Sequence, residues 1–186
     1  MAMELVKLFS CNPEKYPHIT KQFEVIENAA NLGLYADVSN PIIARKKCIV
    51  TARPALLNEC ISVNPLVEIN GQMYRICESK FVVTKQMIEK GMMIVRNPGG
   101  ELYPVSSYES FIKAYTETEI DNQTLYEAIG EPKPFIPVIK DVKLLKPNWR
   151  PGAFQIAPAG SFICIKHKDN PYSVTNVAFE KTYYID

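Results

Sequence analysis

Residues 91–117, GMMIVRNPGGELYPVSSYESFIKAYTE, and residues 160–186, GSFICIKHKDNPYSVTNVAFEKTYYID, carry one short text twice. Aligned from their glycines, Gly91/Gly160, Ile94/Ile163, Tyr103/Tyr172, Val105/Val174 and Ser106/Thr175 recur at a single offset of 69 (160 − 91). After a slip of one residue, Phe111/Phe179 and Tyr115/Tyr183 match at 68 (179 − 111). An internal repeat of this kind organises a chain before any single residue does, although two copies are too few for a solenoid.

Each copy reads as a strand from the glycine, a tight turn, a second strand ending at Val105 or Val174, and a short helix. The turns are Asn97-Pro98-Gly99-Gly100 and Lys168-Asp169-Asn170. Ser106 and Thr175 are the expected N-caps, with Glu109 completing a capping box in the first copy. Phe111 with Tyr115, and Phe179 with Tyr183, lie four apart and stack on one helical face. Such a unit is too small to stand alone, so the copies are expected to pack on each other or on the N-terminal half.

Outward from the repeats, Asn70-Gly71 between Val67-Glu68-Ile69 and Met73-Tyr74-Arg75-Ile76 predicts a hairpin over 66–77, because both turn residues accept positive φ. Short apolar runs at 42–43, 48–50, 60–61 and 81–83, cut by Pro41, Pro54 and Pro65, read as strands. The spacing of Phe23, Ile26 and Ala30 predicts a helix from Thr20 to Leu32, stopped by Gly33; a second is predicted from Asp121 to Ile129, stopped by Gly130. Residues 131–151 hold five of the fourteen prolines and read as an extended connector. The expected organisation is an N-terminal body at 1–130 that includes the first copy, the connector at 131–151, and the second copy within 152–186. The fold class is α+β: short antiparallel strands and hairpins, two or three short helices, and a duplicated hairpin–helix module in the C-terminal half. The runner-up is a β-rich body with few helices.

At 186 residues, 47% apolar and 22% charged, the composition is that of an ordinary globular chain. A net charge of +1 supplies no field to draw the molecule onto nucleic acid or an acidic surface, so nucleic acid is not an expected partner. No apolar run reaches the roughly 20 residues of a membrane-spanning helix, and the first residues lack the apolar stretch of a signal peptide. The five cysteines include no C-x-x-C pair and read as reduced thiols.

Chemistry is thin in the text. His18 and His167 have no ligand-spaced partners, no nucleophile motif occurs, and Gly99-Gly100 serves a turn rather than a phosphate. The expectation is therefore no catalytic residue, no metal and no cofactor. The candidate binding residues are Trp149, Arg150, Tyr103 and Tyr172: the first two lie in a basic stretch with Lys140, Lys143 and Lys146, where an indole between cations can hold phosphates or stack a ring. The bland alternative is a solvated linker anchored by Trp149. Arg45-Lys46-Lys47 with Arg53 reads as a strand edge protected by charge.

Gly100-Glu101-Leu102-Tyr103-Pro104 and Phe179-Glu180-Lys181-Thr182-Tyr183 resemble the C-terminal segment of small bacteriophage-encoded proteins of uncharacterised function, which ends in Gly-Glu-aromatic-Tyr-Pro and Phe-x-x-Thr-Tyr. Where those proteins enter the segment by Pro-Gly-Asp, this chain has Pro158-Ala159-Gly160 and Glu89-Lys90-Gly91. The resemblance implies a bacteriophage source and no mechanism. Two roles are then expected: a non-enzymatic assembly protein, as a minor structural or decoration component of the virion, or a soluble accessory protein of anti-defence type that binds a host factor or a nucleotide ligand. Partners would be virion proteins or a host protein, with self-association. The expected place is the virion or the host bacterial cytoplasm.

Overall fold

The structure is a computed structural model that describes residues 7–8, 23–26, 39–146, 154–167 and 169–186. Short strands dominate it, in small sheets that are mostly antiparallel, with three short helices among the described residues. In chain order, β1 (Lys7–Leu8), β2 (Glu24–Ile26), β3 (Ile42–Lys46), β4 (Ile49–Pro54), β5 (Cys60–Val63), β6 (Leu66–Ile69), β7 (Gln72–Arg75) and β8 (Ser79–Val82) precede helix α1 (Lys85–Glu89). There follow β9 (Met93–Arg96), β10 (Leu102–Val105), α2 (Tyr108–Ala114), β11 (Tyr115–Ile120), β12 (Gln123–Ala128), β13 (Lys133–Pro137) and β14 (Val142–Leu145). The chain closes with β15 (Phe154–Ala157), β16 (Phe162–Cys164), β17 (Tyr172–Val174), α3 (Asn176–Thr182) and β18 (Tyr183–Ile185).

Two five-stranded antiparallel sheets form the frame, ordered β10-β9-β4-β12-β11 and β17-β16-β13-β3-β18. In the first hairpin Met93 faces Val105 and Val95 faces Tyr103; in the second Phe162 faces Val174 and Cys164 faces Tyr172. The inner strands keep the same step, since Pro54 faces Met93 and Pro137 faces Phe162. At the far edge Tyr115 faces Ala128 while Tyr183 faces Lys46. The chain crosses between sheets twice, from β3 in the second to β4 in the first, and from β12 in the first to β13 in the second. Three smaller sheets complete the molecule: β1-β7-β6, β15-β14-β2 and β5-β8.

Local chemistry accounts for these elements. Asn70 and Gly71 take φ of 50° and 73°, so the hairpin turns as its Asn-Gly step predicts. The helices α2 and α3 start at Ser107 and Thr175, whose hydroxyls accept from the backbone N–H of Ser110 and Ala178. Each helix passes without a loop into an edge strand, because Tyr115 and Tyr183 are already extended, with φ of −139° and −114°. Phe111 stacks on Tyr115 and Phe179 on Tyr183, both with ring centroids 5.1 Å apart. Phe111 closes a core with Val50, Met93 and Val95, and Phe179 closes another with Ala44, Phe135 and Cys164.

Several expectations are corrected. Glu24–Ile26 is a strand pairing in parallel with β14, not part of a helix; residues 20–22 and 27–32 lie outside the described residues. Gln123–Ala128 is also a strand, because Asp121 and Asn122, at φ of 51° and 60°, form a tight turn that folds β12 back onto β11. The cap of α2 is Ser107 rather than Ser106, and Glu109 pairs with Lys113 at 2.7 Å instead of closing a capping box. Of the predicted connector, residues 131–146 are described, and within them β13 and β14 are hydrogen-bonded strands; 147–151 lie outside the described residues. Cys48, Cys60 and Cys164 are free, but Cys77 is disulfide-bonded, which overturns the reading of five reduced thiols.

Two measurements check this account. A Cβ added at Gly130 would lie 2.3 Å from the Lys46 carbonyl oxygen and 2.5 Å from its nitrogen, and backbone cannot swing aside as a side chain can. Gly130→Ala is therefore expected to destabilise the fold by about 2 kcal/mol or more in urea denaturation, the scale of a forced overpacking. Thiol titration of the unfolded protein without reductant is expected to count three of the five cysteines, with all five recovered after reduction.

Candidate functional site

A cleft of about 260 Å³ opens where the two hairpins approach one another, walled by Asn97, Glu101 and Tyr103 on one side and by Tyr172–Thr175, Ala178, Thr182 and Tyr183 on the other. Lys46, Pro65, Glu78 and Gln155 complete it. The space far exceeds the volume that holds one water, and falls just below the roughly 300 Å³ at which drug-sized pockets begin.

Lys46 ends β3 and carries its amine across to the other sheet. Its Nζ donates to the Tyr103 hydroxyl at 2.6 Å and the Tyr115 hydroxyl at 2.9 Å, and it stands 4.6 Å from the centre of the Tyr103 ring. Burial lowers the amine's pKa, and the nearby Glu101 partly offsets this. Burial pushes the Tyr115 phenol well above its usual range.

Two carboxyl groups share the cleft. Glu101 follows the first hairpin turn and accepts from Asn97 Nδ2 at 3.3 Å; burial raises its pKa, while Asn97, Lys46 and Arg75 pull it back. Arg75 itself is committed to the carbonyls of Asn64 and Gly99. Glu78 sits between β7 and β8 and accepts from Gln155 Nε2 at 3.3 Å. Burial, reinforced by the Glu101 charge, pushes Glu78 up to about 7, against the opposing pull of Gln155 and Lys146. Gln155 is fixed from its other end, its Oε1 accepting from the Ser173 N–H at 2.9 Å. Lys146, buried, donates to Asn170 Oδ1 and the Pro171 carbonyl, each at 2.6 Å.

The second tyrosine pair mirrors the first in position but not in partner. The Tyr172 hydroxyl donates to Tyr183, and burial raises both phenols, that of Tyr183 to about 12. Asn97 Oδ1 is buried and has no hydrogen-bond partner among the described residues.

Of the residues singled out by sequence, Tyr103 and Tyr172 stand in the wall of this one cleft. Trp149 and Arg150 lie outside the described residues. His167 is exposed, away from the cleft. Lys46 is not part of a charged strand edge: it is the half-buried centre of the tyrosine cluster, while its neighbour Arg45 pairs with Asp186 at 2.7 Å and Arg53 with Glu59 at 2.7 Å. Glu78, Asn97 and Gln155 are invisible as a group in the sequence, since they come from three distant loops and strands. No group of three or more His, Cys, Asp and Glu among the described residues is placed to hold a metal ion. No helix of the described residues is long and apolar enough to cross a membrane.

Compared with protein-family models, with curated proteins and with solved structures, the chain matches none.

The Glu78 carboxyl makes a pH dependence. Its folded pKa lies above the usual carboxylate range, so the folded state holds the proton more tightly and the stability it lends is complete below that range and lost as pH rises through about 7. Glu78→Gln, neutral throughout, is expected to flatten the decline and to exceed the parent protein at about pH 8 by on the order of 3 kcal/mol. Urea denaturation from about pH 5 to about pH 8 checks it; a parent protein whose stability rises over that range contradicts it.

Proposed function

We propose that this chain is a ligand-binding protein rather than a catalyst, and that residues 91–117 and 160–186 are two copies of one module whose facing surfaces build the binding cleft. The observation that carries the reading is the convergence of Tyr103 and Tyr172, which face Val95 and Cys164 in hairpins of the same register, on a single cavity rimmed by ionisable side chains. A concave site with a few converging polar groups and displaced carboxyls is the ordinary form of a small-molecule site. The equal strand order of the two five-stranded sheets supports extending the repeat to 42–120 and 123–185, with the first strand of each half exchanged into the sheet of the other.

Of the two roles expected from the sequence, the soluble accessory binder is favoured by this cleft. A nucleotide is the less fitting ligand, because Glu78 and Glu101 in the wall would repel its phosphates. The virion-assembly role drew on the arm around Trp149, which lies outside the described residues and lends that role nothing here. Binding rather than catalysis is favoured because the reactive groups are held in mutual hydrogen bonds, Lys46 by two tyrosines and Tyr172 by Tyr183.

A panel of small polar metabolites screened by thermal shift tests the reading. Ligands are expected to raise the Tm of the parent protein and to leave Ala178→Phe, which plugs the cleft from α3, unmoved at unchanged circular dichroism. A parent protein that responds to no member of the panel, and that is recovered as a constituent of purified phage particles, would return the assembly role to first place.

A further inference from the structure

The hydrogen-bonding capacity of the cleft is unbalanced. Several of its donors are already engaged: the Lys46 amine on two tyrosines, the Tyr172 hydroxyl on Tyr183, one N–H of the Gln155 amide on Glu78. Its acceptors are underused. Glu78 and Glu101 each receive one side-chain amide bond among the described residues, both at 3.3 Å, and Asn97 Oδ1 receives none. Half-buried carboxyls served by single long bonds from neutral amides are poorly compensated, and a charged donor relieves them most.

A second observation, independent of the first, concerns the tyrosines. Around Lys46, the hydroxyls of Tyr103 and Tyr115 close on an ammonium that also lies over both rings, at 4.6 and 5.4 Å from their centres. The matching pair in the other half is Tyr172 and Tyr183. Lys46 reaches its tyrosines from the position opposite Tyr183; the corresponding position, opposite Tyr115, is Ala128. A methyl group cannot span that distance, and among the described residues no cation lies over Tyr172 or Tyr183. Among the described residues, one tyrosine pair thus receives an ammonium from the chain and the other does not.

We propose that the cleft takes a small primary ammonium ion, of the size of a short alkylamine or diamine, whose three N–H donors meet Glu78, Glu101 and Asn97 Oδ1 beside the rings of Tyr172 and Tyr183. The count of donors matches the count of underused acceptors, and the aromatic faces add the cation–ring attraction already seen at Lys46. The Lys46 ammonium is itself already held by the phenol oxygens of Tyr103 and Tyr115. The proposal rests on the ligand-binding reading of the cleft and adds the charge and head group of the ligand.

Isothermal titration calorimetry at about pH 8, where Glu78 with its pKa of about 7 is ionised, separates the two. The probes are n-butylammonium and putrescine, against n-butanol and butyrate of similar length. Both amines are expected to bind, with the alcohol and the carboxylate weaker by about tenfold or more, and Glu78→Gln combined with Glu101→Gln is expected to weaken the amines by a similar factor. If the double variant does not fold, Glu101→Gln alone carries the same expectation. Amines that fail to bind, or bind equally well without the carboxyls, overturn the ammonium proposal. If butanol or butyrate then binds the parent protein but not Ala178→Phe, the cleft remains a ligand site with a different ligand; if no probe and no metabolite binds, both readings fall together.

Discussion

At residue 130 the backbone runs so close to Lys46 that one added carbon would lie 2.3 Å from the Lys46 carbonyl oxygen. This approach sits where the chain changes sheets, between β3 and β4 and again between β12 and β13. Hydrogen bonds lace the crossing: Ala128 N–H donates to the Cys48 carbonyl at 3.0 Å, Lys47 to Thr182 at 2.8 Å, and Ile129 to Ala114 at 2.8 Å. The last two tie each crossing to the end of the helix beside it. β3 pairs into one five-stranded sheet and β12 into the other, each away from the strand that follows it in the chain, so that each sheet draws strands from both sides of a crossing.

The cleft follows from that exchange. A strand that crosses to the other sheet carries its side chains with it, and Lys46 at the end of β3 thereby reaches Tyr103 and Tyr115, which belong to the other sheet. The hairpins are brought face to face, with Glu101 and Tyr103 on one and Tyr172 and Ser173 on the other. Between them the carboxyls lose water without gaining full ionic partners, which displaces Glu78 and Glu101 upward together. Stability is surrendered at this point beside two apolar cores that Phe111 and Phe179 close tightly.

Periodicity carried the local elements well where turn chemistry agreed with it. Asn70-Gly71 turned as its residue types demand, and Thr175 capped α3 as its hydroxyl allows. It misled at residues 121–129, where Leu125, Tyr126 and Ile129 have helical spacing but the Asp121-Asn122 step bends the chain into a hairpin. Short apolar segments satisfy either period, and the hydrogen bonds of a waiting edge then decide. The same competition made a strand of Glu24–Ile26, drawn in beside β14. Tyr103 and Tyr172 were legible because they recur at a fixed spacing; Glu78, Gln155 and Lys46 were not, since nothing local distinguishes a buried charge from a solvated one.

The sequence by itself determined the repeated text, the two hairpin–helix segments and their aromatic pairs, because these rest on contacts between residues at most about a dozen apart and on the φ preferences of turn residues. Only the tertiary structure decided which strands share a sheet, that β3 and β12 pair away from the strands that follow them, and that one lysine among three neighbouring basic residues is half-buried against tyrosines. Those outcomes depend on partners separated by 57 residues for Lys46 and Tyr103 and by 77 for Glu78 and Gln155. Distances of that kind are set by how sheets close, and closure is a property of the whole chain.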